Sequence, residues 1–172
     1  MEQTEFIDVA RPARKVGPYT VKYRLQTFVV QETKPEQWKA GNAARSSDDA
    51  FRLAKTIYAE LDADKEHFTV LCFNNKNRLS GFKVVSTGSL TASLVHPREV
   101  YTAALELRAA ALIFVHNHPS GDPAPSPEDI DITRRLVEVG QVIGIKVLDH
   151  VVMGNGRYFS FSDKGMIAEL RG

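Results

Sequence analysis

Residues 110–115, AALIFV, are apolar at every position, and they limit how this chain can fold more than any other segment. Successive side chains of a strand point to opposite faces of a sheet, so a strand of this composition needs a cover on both faces. Segments with apolar residues at helical spacing come before and after it and can supply that cover. We therefore predict a single α/β domain in which a mixed β-sheet is flanked by helices.

Local signals predict the order of the elements around this strand. A cap at Ser47 followed by two acids predicts a first helix that ends near residue 62, and Pro97 opens a second helix. Ser126 begins a third helix, and Ser162 is expected to cap a short fourth one. Residues 33–46 read as a loop or short helix. Strands are predicted at residues 19–32, 68–73, 78–86, 110–115, 145–153 and 158–161.

The composition narrows the class of protein. The chain has 172 residues, enough for one domain with a hydrophobic core, and 22 Lys and Arg against 21 Asp and Glu give a net charge of +1. This balance provides no overall attraction to nucleic acid or to an anionic membrane. The single cysteine, Cys72, excludes an intrachain disulfide, and no stretch reaches the ~18 apolar residues of a membrane span. We expect a cytoplasmic protein without membrane association.

Two histidines directly follow the apolar strand. His116 and His118 are two residues apart, so their imidazoles project from the same face of the strand end. Asp129, in the first turn of the third predicted helix, can fold back toward them across a proline-rich loop. Two imidazoles and a carboxylate are a common ligand set for a catalytic zinc ion, which keeps its fourth position for water. The pattern predicts a Zn²⁺ site formed by His116, His118 and Asp129.

The same helix start has a second interpretation that needs no metal. Ser126, Pro127 and Asp129 match a helix cap, a first-turn proline and a capping-box acid. Helix initiation alone could explain these three residue types. The two histidines on one strand face are what favour a metal site.

Three longer motifs carry a family resemblance. The runs HNHPSGDPAPSPEDIDITRRL, SLTASLVHPREVYTAAL and LDHVVMG resemble the RadC group of JAB/MPN-type domains, which carry the JAMM metalloprotease signature. The resemblance covers residues 46–170, so residues 1–45 are expected to form an N-terminal extension and residues 46–172 the RadC-like domain. It implies the cytidine-deaminase-like α/β fold of JAB domains.

The resemblance also implies roles for particular residues. His116, His118 and Asp129 would be the zinc ligands, Ser126 the signature serine, and Glu66 the upstream acid that serves as general base. Neighbouring Glu60, Asp62 and Asp64 compete with Glu66 for that role, because the whole cluster also fits a solvated helix end. Asp149 and His150 lie on a strand expected near the site, where either could orient a metal ligand.

Three functions follow from these observations. The first is a zinc-dependent hydrolase in which metal-activated water attacks the amide of a peptide or isopeptide, with Glu66 moving the proton and Ser126 stabilising the oxyanion. The second is a DNA-associated or DNA-repair accessory protein with a non-catalytic metal. Residues 1–45 lack the helix-hairpin-helix appearance of longer RadC proteins, which weakens the case for this DNA-associated function. The third is a nucleotide deaminase, whose cysteine-containing signature is absent.

Overall fold

The computed structural model describes residues 14–16, 19–21, 44–88 and 95–171. The chain divides into two compact units, Met1–Lys34 and Pro35–Gly172. In the first unit, strand β1 (Arg14–Val16) pairs with strand β2 (Tyr19–Val21) in an antiparallel arrangement. The strand predicted over residues 19–32 is therefore seen for its first three residues. Its remainder, and most of the predicted 33–46 connection, lie outside the described residues.

The second unit has a five-stranded mixed sheet with helices packed on it, in strand order β4-β3-β5-β6-β7. Strand β5 runs parallel to β6, and the other neighbouring strands are antiparallel. This confirms the predicted mixed sheet flanked by helices. Its elements are α1 (Ser47–Tyr58), β3 (Glu66–Phe73), β4 (Leu79–Gly88), α2 (Pro97–Glu106), β5 (Ala111–Asn117), α3 (Pro127–Ile143), β6 (Lys146–Met153), β7 (Tyr158–Ser160) and α4 (Met166–Glu169).

The central strand β5 is buried on both faces, as its composition predicts. Leu112 and Phe114 join the core beneath α2, α3 and α4, whereas Ile113 and Val115 join the core beneath α1. His116 continues the first of these series, because strand side chains alternate. The sheet therefore delivers His116 to the face covered by α3.

Two predicted helix caps are wrong. The N-cap of α1 is Ser46, whose hydroxyl accepts a hydrogen bond from the Asp49 amide, while Ser47 is the first helical residue. The short helix α4 begins after Gly165, a residue with positive φ, and has no side-chain cap, so Ser162 does not cap it. In both places several polar residues lie close together in the sequence, and the backbone conformation determines at which of them the helix begins.

Antiparallel pairing brings the start of β3 to the end of β5. Phe68 pairs with His116 in this register. Glu66 precedes Phe68 by two residues and His118 follows His116 by two residues, so this pairing brings both to the same end of the sheet. Among the described residues, no helix combines the length and apolar composition that a membrane crossing requires.

Candidate metal centre

Three side chains from three different elements meet beside the end of the central strand. His116 ends the buried part of β5, His118 lies in the loop after it, and Asp129 lies in the first turn of α3. The two Nε2 atoms of the histidines are 2.9 Å apart. Asp129 Oδ1 lies 3.2 Å from His116 Nε2, and Asp129 Oδ2 lies 3.4 Å from His118 Nε2. The structure thus brings together all three predicted ligands, and this group could hold a metal ion.

These separations fit the edges of a small coordination polyhedron. With metal–ligand distances of about 2.0–2.2 Å, two ligands in a tetrahedral arrangement lie roughly 3.3–3.6 Å apart. The observed separations of 2.9–3.4 Å are close to that range. Two imidazole nitrogens and one carboxylate also match the donor set of catalytic zinc sites, so the residues present fit the metal.

The loop after β5 orients His118. The Nδ1–H of His118 donates to the backbone carbonyl of Asp122 over 2.7 Å, which turns Nε2 toward the other two ligands. The hydrogen bond with Asp129 raises the pKa of His118 above its ordinary value, although partial burial opposes this. In the metal-free protein, His118 therefore favours its protonated form beside Asp129.

Asp129 both caps a helix and faces the histidines. Ser126 Oγ accepts from the Asp129 amide at 3.1 Å, and Asp129 Oδ2 accepts from the Ser126 amide at 2.7 Å, which forms a capping box. Burial raises the pKa of Asp129, but the imidazoles of His116 and His118 beside its carboxylate outweigh burial and hold the pKa far below its usual range. The capping box is therefore present, and it is compatible with the metal-site interpretation, because the capping geometry aims the carboxylate at the imidazoles.

His116 is supported from within the core. Its Nδ1 lies 2.8 Å from His150 Nε2, and His150 Nδ1 lies 2.6 Å from the hydroxyl of Thr133. Thr133 in turn donates to the backbone carbonyl of Asp129, one helical turn earlier. The ring of His150 stacks on Phe161 with centroids 5.0 Å apart, and burial lowers its pKa well below the ordinary value. His150 is thus a neutral, fully buried neighbour of a candidate ligand.

A β-bulge turns His150 toward His116. Val147 pairs with Leu112, but the next residue of β5, Ile113, pairs with Asp149, so β6 contains one extra residue at this point. An extra residue reverses the alternation of the strand beyond it. His150 consequently faces the same core as Val147.

Asp149, the other residue expected near the ligands, has a structural role here. Its Oδ1 accepts from the amides of His150 and Ser162, and its Oδ2 accepts from Ser160 Oγ at 2.7 Å. Burial raises its pKa despite these hydrogen bonds. Asp149 therefore secures the turn after β7, and of the two candidates only His150 contacts a predicted ligand.

Glu66 lies at the beginning of β3 on the same sheet face as Phe68 and His116. It is half-buried, and its negative charge is near enough to His118 to favour the protonated imidazole. The competing acids, Glu60, Asp62 and Asp64, are exposed in the preceding turn, where Asp62 forms an ion pair with Lys65 at 3.0 Å.

Asn117 fixes the backbone on both sides of Glu66. Its Nδ2 donates to the Lys65 carbonyl at 2.9 Å, and its Oδ1 accepts from the His67 amide at 2.8 Å. These two hydrogen bonds hold the start of β3. The residue between the two histidines therefore ties their strand to the acid.

A cleft of about 350 Å³ opens beside His118. Its walls include Tyr58, Asn117, Ser120 and Asn155. Ser120 lines this cleft. Asp122 supplies its carbonyl to His118 and its carboxylate to the Ala124 amide at 3.1 Å.

Thr133 was assigned from the sequence only to the inner face of the third helix. The sequence does contain a signal for the hydrogen bond between Thr133 and Asp129, because a threonine in a helix can donate its hydroxyl to the backbone carbonyl four residues earlier. Nothing local in the sequence pairs this hydroxyl with His150, 17 residues later.

Comparison with known proteins matches residues 44–166 to the family model described as a RadC-like JAB domain. The UPF0758 protein of Methanosarcina barkeri is 43% identical over 159 residues, covering 92% of this chain and 65% of that protein. A UPF0758 protein of Methanosarcina mazei is 42% identical over 166 residues, covering 96% and 68% respectively.

A third UPF0758 protein, from Caldanaerobacter subterraneus, is 56% identical over 101 residues, covering 59% of this chain and 43% of that protein. The chain spans between about two fifths and two thirds of the length of these relatives. The family model covers all five strands of the main sheet and the three residues of the candidate metal centre. This chain therefore belongs to the RadC family of JAB-domain proteins.

Proposed function

We propose that this chain is a zinc-dependent hydrolase of the JAMM metalloprotease type that cleaves an amide bond in a peptide or isopeptide. The observation that carries the proposal is the convergence of His116 Nε2, His118 Nε2 and the Asp129 carboxylate within 4.8 Å of one another. Three protein ligands with an open position are typical of catalytic zinc sites, whereas structural sites use four.

Zinc bound at this position would supply Lewis-acid activation of water near neutral pH. Glu66 would act as the general base and then as the general acid, taking a proton from the attacking water and delivering it to the departing amide nitrogen. Its place two residues before Phe68, the strand partner of His116, and its charge near His118 support this role. The Asn117 amide holds the backbone around Glu66 and so limits where the carboxylate can move.

Ser126 would stabilise the developing oxyanion with its hydroxyl. In the structure this hydroxyl donates to Asp129 Oδ2 at 2.8 Å, and a hydroxyl has one proton to give. The Ser126 amide also donates to Oδ2. The carboxylate therefore stays anchored when the hydroxyl turns to the substrate.

The cleft beside His118 supports a peptide-like substrate. It is open to one side of the proposed ligands and is lined by side-chain amides, hydroxyls and loop backbone, which can form hydrogen bonds with an extended chain.

The first experiment measures the metal content of the purified protein by elemental analysis. We expect near-stoichiometric zinc in the wild type and none in His116→Ala or Asp129→Ala. His96→Ala is a matched control, because His96 is exposed and caps α2. Thermal melting verifies that each variant is folded. If the wild type binds no zinc even when zinc is supplied, the hydrolase proposal is wrong and a metal-independent binding role becomes the better hypothesis.

The second experiment screens the zinc-loaded protein against peptide and isopeptide libraries. Glu66→Gln keeps the size of the side chain but cannot accept the proton, so we expect it to retain zinc while losing about 10²- to 10⁴-fold in rate. Glu60→Gln, in the exposed turn, serves as its control. Equal rates for Glu66→Gln and the wild type would exclude Glu66 as the base.

A further inference from the structure

We propose that Thr133 and His150 are positioning residues that hold His116 in the tautomer whose Nε2 lone pair faces His118 and Asp129. This inference deepens the proposed function, since it concerns the same metal site. The four residues form one buried hydrogen-bonded chain: Asp129 carbonyl, Thr133 hydroxyl, His150 ring and His116 ring. The Asp129 carbonyl can only accept a hydrogen bond, and this fixes which atom donates and which accepts in each of the other hydrogen bonds of the chain.

The chain starts at the Asp129 carbonyl, which can only accept. The single hydroxyl proton of Thr133 therefore points to that carbonyl. Toward His150 Nδ1, 2.6 Å away, the Thr133 oxygen can then only accept. His150 must carry a proton on Nδ1.

His150 has no exposed surface, and it is surrounded by Phe68, Phe114 and Phe161. This apolar environment favours the neutral ring, which has one N–H only. With the proton on Nδ1, the Nε2 atom is an acceptor. Across 2.8 Å it receives the Nδ1–H of His116.

The remaining nitrogen of His116 therefore has a free lone pair. This Nε2 atom is 2.9 Å from His118 Nε2 and 3.2 Å from Asp129 Oδ1. His118 presents its Nε2 to the same position independently, because its Nδ1 donates to the Asp122 carbonyl, and zinc binding would displace the Nε2 proton that the metal-free ring carries beside Asp129. Two lone pairs and a carboxylate then point at one position, which is the arrangement that a divalent cation needs.

Loss of the Thr133 hydroxyl would reverse the direction of the hydrogen bond between His150 and His116. Without an acceptor at Nδ1, the His150 proton is free to move to Nε2, where it meets His116 Nδ1. His116 would then accept at Nδ1 and carry its own proton on Nε2, which blocks the metal position.

The first test reads the tautomers directly by long-range ¹H–¹⁵N NMR on the metal-free full chain. The signals of His116 are assigned by their loss in His116→Gln. We expect the Nδ1–H form in the wild type and in Thr133→Ser, and a substantial Nε2–H population in Thr133→Val. An Nε2–H form of His116 in the wild type, or an unchanged tautomer in Thr133→Val, would overturn the proposal.

The second test measures zinc affinity by competition with a chromophoric chelator. Thr133→Val is expected to bind zinc about 10- to 100-fold more weakly than the wild type, the usual effect of removing a partner of a metal ligand. Thr133→Ser keeps the hydroxyl and should bind zinc as tightly as the wild type does. Thr69→Val is the matched control, because Thr69 is another fully buried threonine on the α1 face of β3.

The two tests separate this inference from the proposed function. If the wild type fails to bind zinc, the hydrolase proposal fails, but the NMR spectra still decide whether the hydrogen-bonded chain fixes His116. If the wild type and Thr133→Val bind zinc equally well and both are folded, the positioning role is excluded and the metal site stands.

Discussion

His116 and His118 are two residues apart in sequence, yet the protein holds them by different means. The His116 side chain is 0% exposed, and its Nδ1 contacts a buried side chain, His150. The His118 side chain is 16% exposed, and its Nδ1 contacts a backbone carbonyl of a loop. The first support depends on which residues build the core, whereas the second depends on the path of the loop.

His150→Leu should have the largest effect, because it removes the side-chain support of His116. The His116 Nδ1–H would be left buried without an acceptor, which costs about 1–3 kcal/mol in the free energy of unfolding. Zinc affinity should fall about 10- to 100-fold. Chemical denaturation of the metal-free protein and chelator competition measure the two effects. Unchanged zinc affinity in this variant would show that His116 needs no such support.

Gly154→Ala tests the loop that supports His118. A Cβ at Gly154 would lie 2.4 Å from the Gly121 carbonyl oxygen and 2.9 Å from the Pro123 backbone nitrogen. The loop must shift, at a cost of about 1–3 kcal/mol, and the Asp122 carbonyl between these two residues should shift with it. We expect lower stability and weaker zinc binding, measured as for His150→Leu.

Gly81→Ala is the matched control for this glycine substitution. A Cβ there would lie 3.0 Å from the end of the flexible Leu107 side chain, far along the sheet in β4. It should leave zinc affinity unchanged. If Gly154→Ala also binds zinc like the wild type, the loop path does not set the orientation of His118.

The pH dependence of stability distinguishes the metal-free from the metal-loaded centre. The pKa of His118 is raised in the folded state by its hydrogen bond with Asp129, so the stabilisation is complete below the unfolded value near 6.5. It is lost as the pH rises through the folded pKa. We therefore expect the Tm of the metal-free protein to fall above pH 6.5. Saturating zinc should remove this decline, because zinc binds the deprotonated ligands. A flat profile without metal would contradict the assigned ion pair.

Asp122→Ala should have the smallest effect. Among the residues that the structure describes, the Asp122 carboxylate accepts a hydrogen bond only from the Ala124 amide, whereas the carbonyl that His118 uses remains in any residue. Stability and the free energy of zinc binding should stay within about 0.5 kcal/mol of the wild type. A loss comparable to that of Gly154→Ala would mean that the carboxylate itself, and not the loop backbone, acts on His118.

The sequence predicted that His116, His118 and Asp129 meet, because the position of each one follows from a short-range rule. Alternation along a strand put His116 and His118 on one face, and a helix-start pattern placed Asp129. The same short-range rules failed where two polar residues compete. Of the adjacent serines, Ser46 is the cap of α1, because Asp49 lies three residues after it and donates its amide to the Ser46 hydroxyl. Ser47 instead donates to Asp163, 116 residues away.

The supports of the ligands could not be predicted, because they depend on contacts between distant segments. Thr133 lies on α3 and His150 on β6, and they meet only after both elements pack on the sheet. The contact of Asn117 with the start of β3 likewise requires the antiparallel register of β3 and β5. The catalytic roles of Glu66 and Ser126 stay predictions.

The bulge in β6 decides which of two neighbouring residues contacts His116 from within the core. A strand of the same length without it would pair Asp149 with Phe114 and His150 with Val115, which exchanges the two side chains between the faces. Deleting Leu148 would remove the extra residue but leave His150 opposite Phe114. In evolutionary terms, β6 can therefore become shorter by one residue at the bulge and keep the histidine, whereas straightening it at constant length would put a carboxylate in its place.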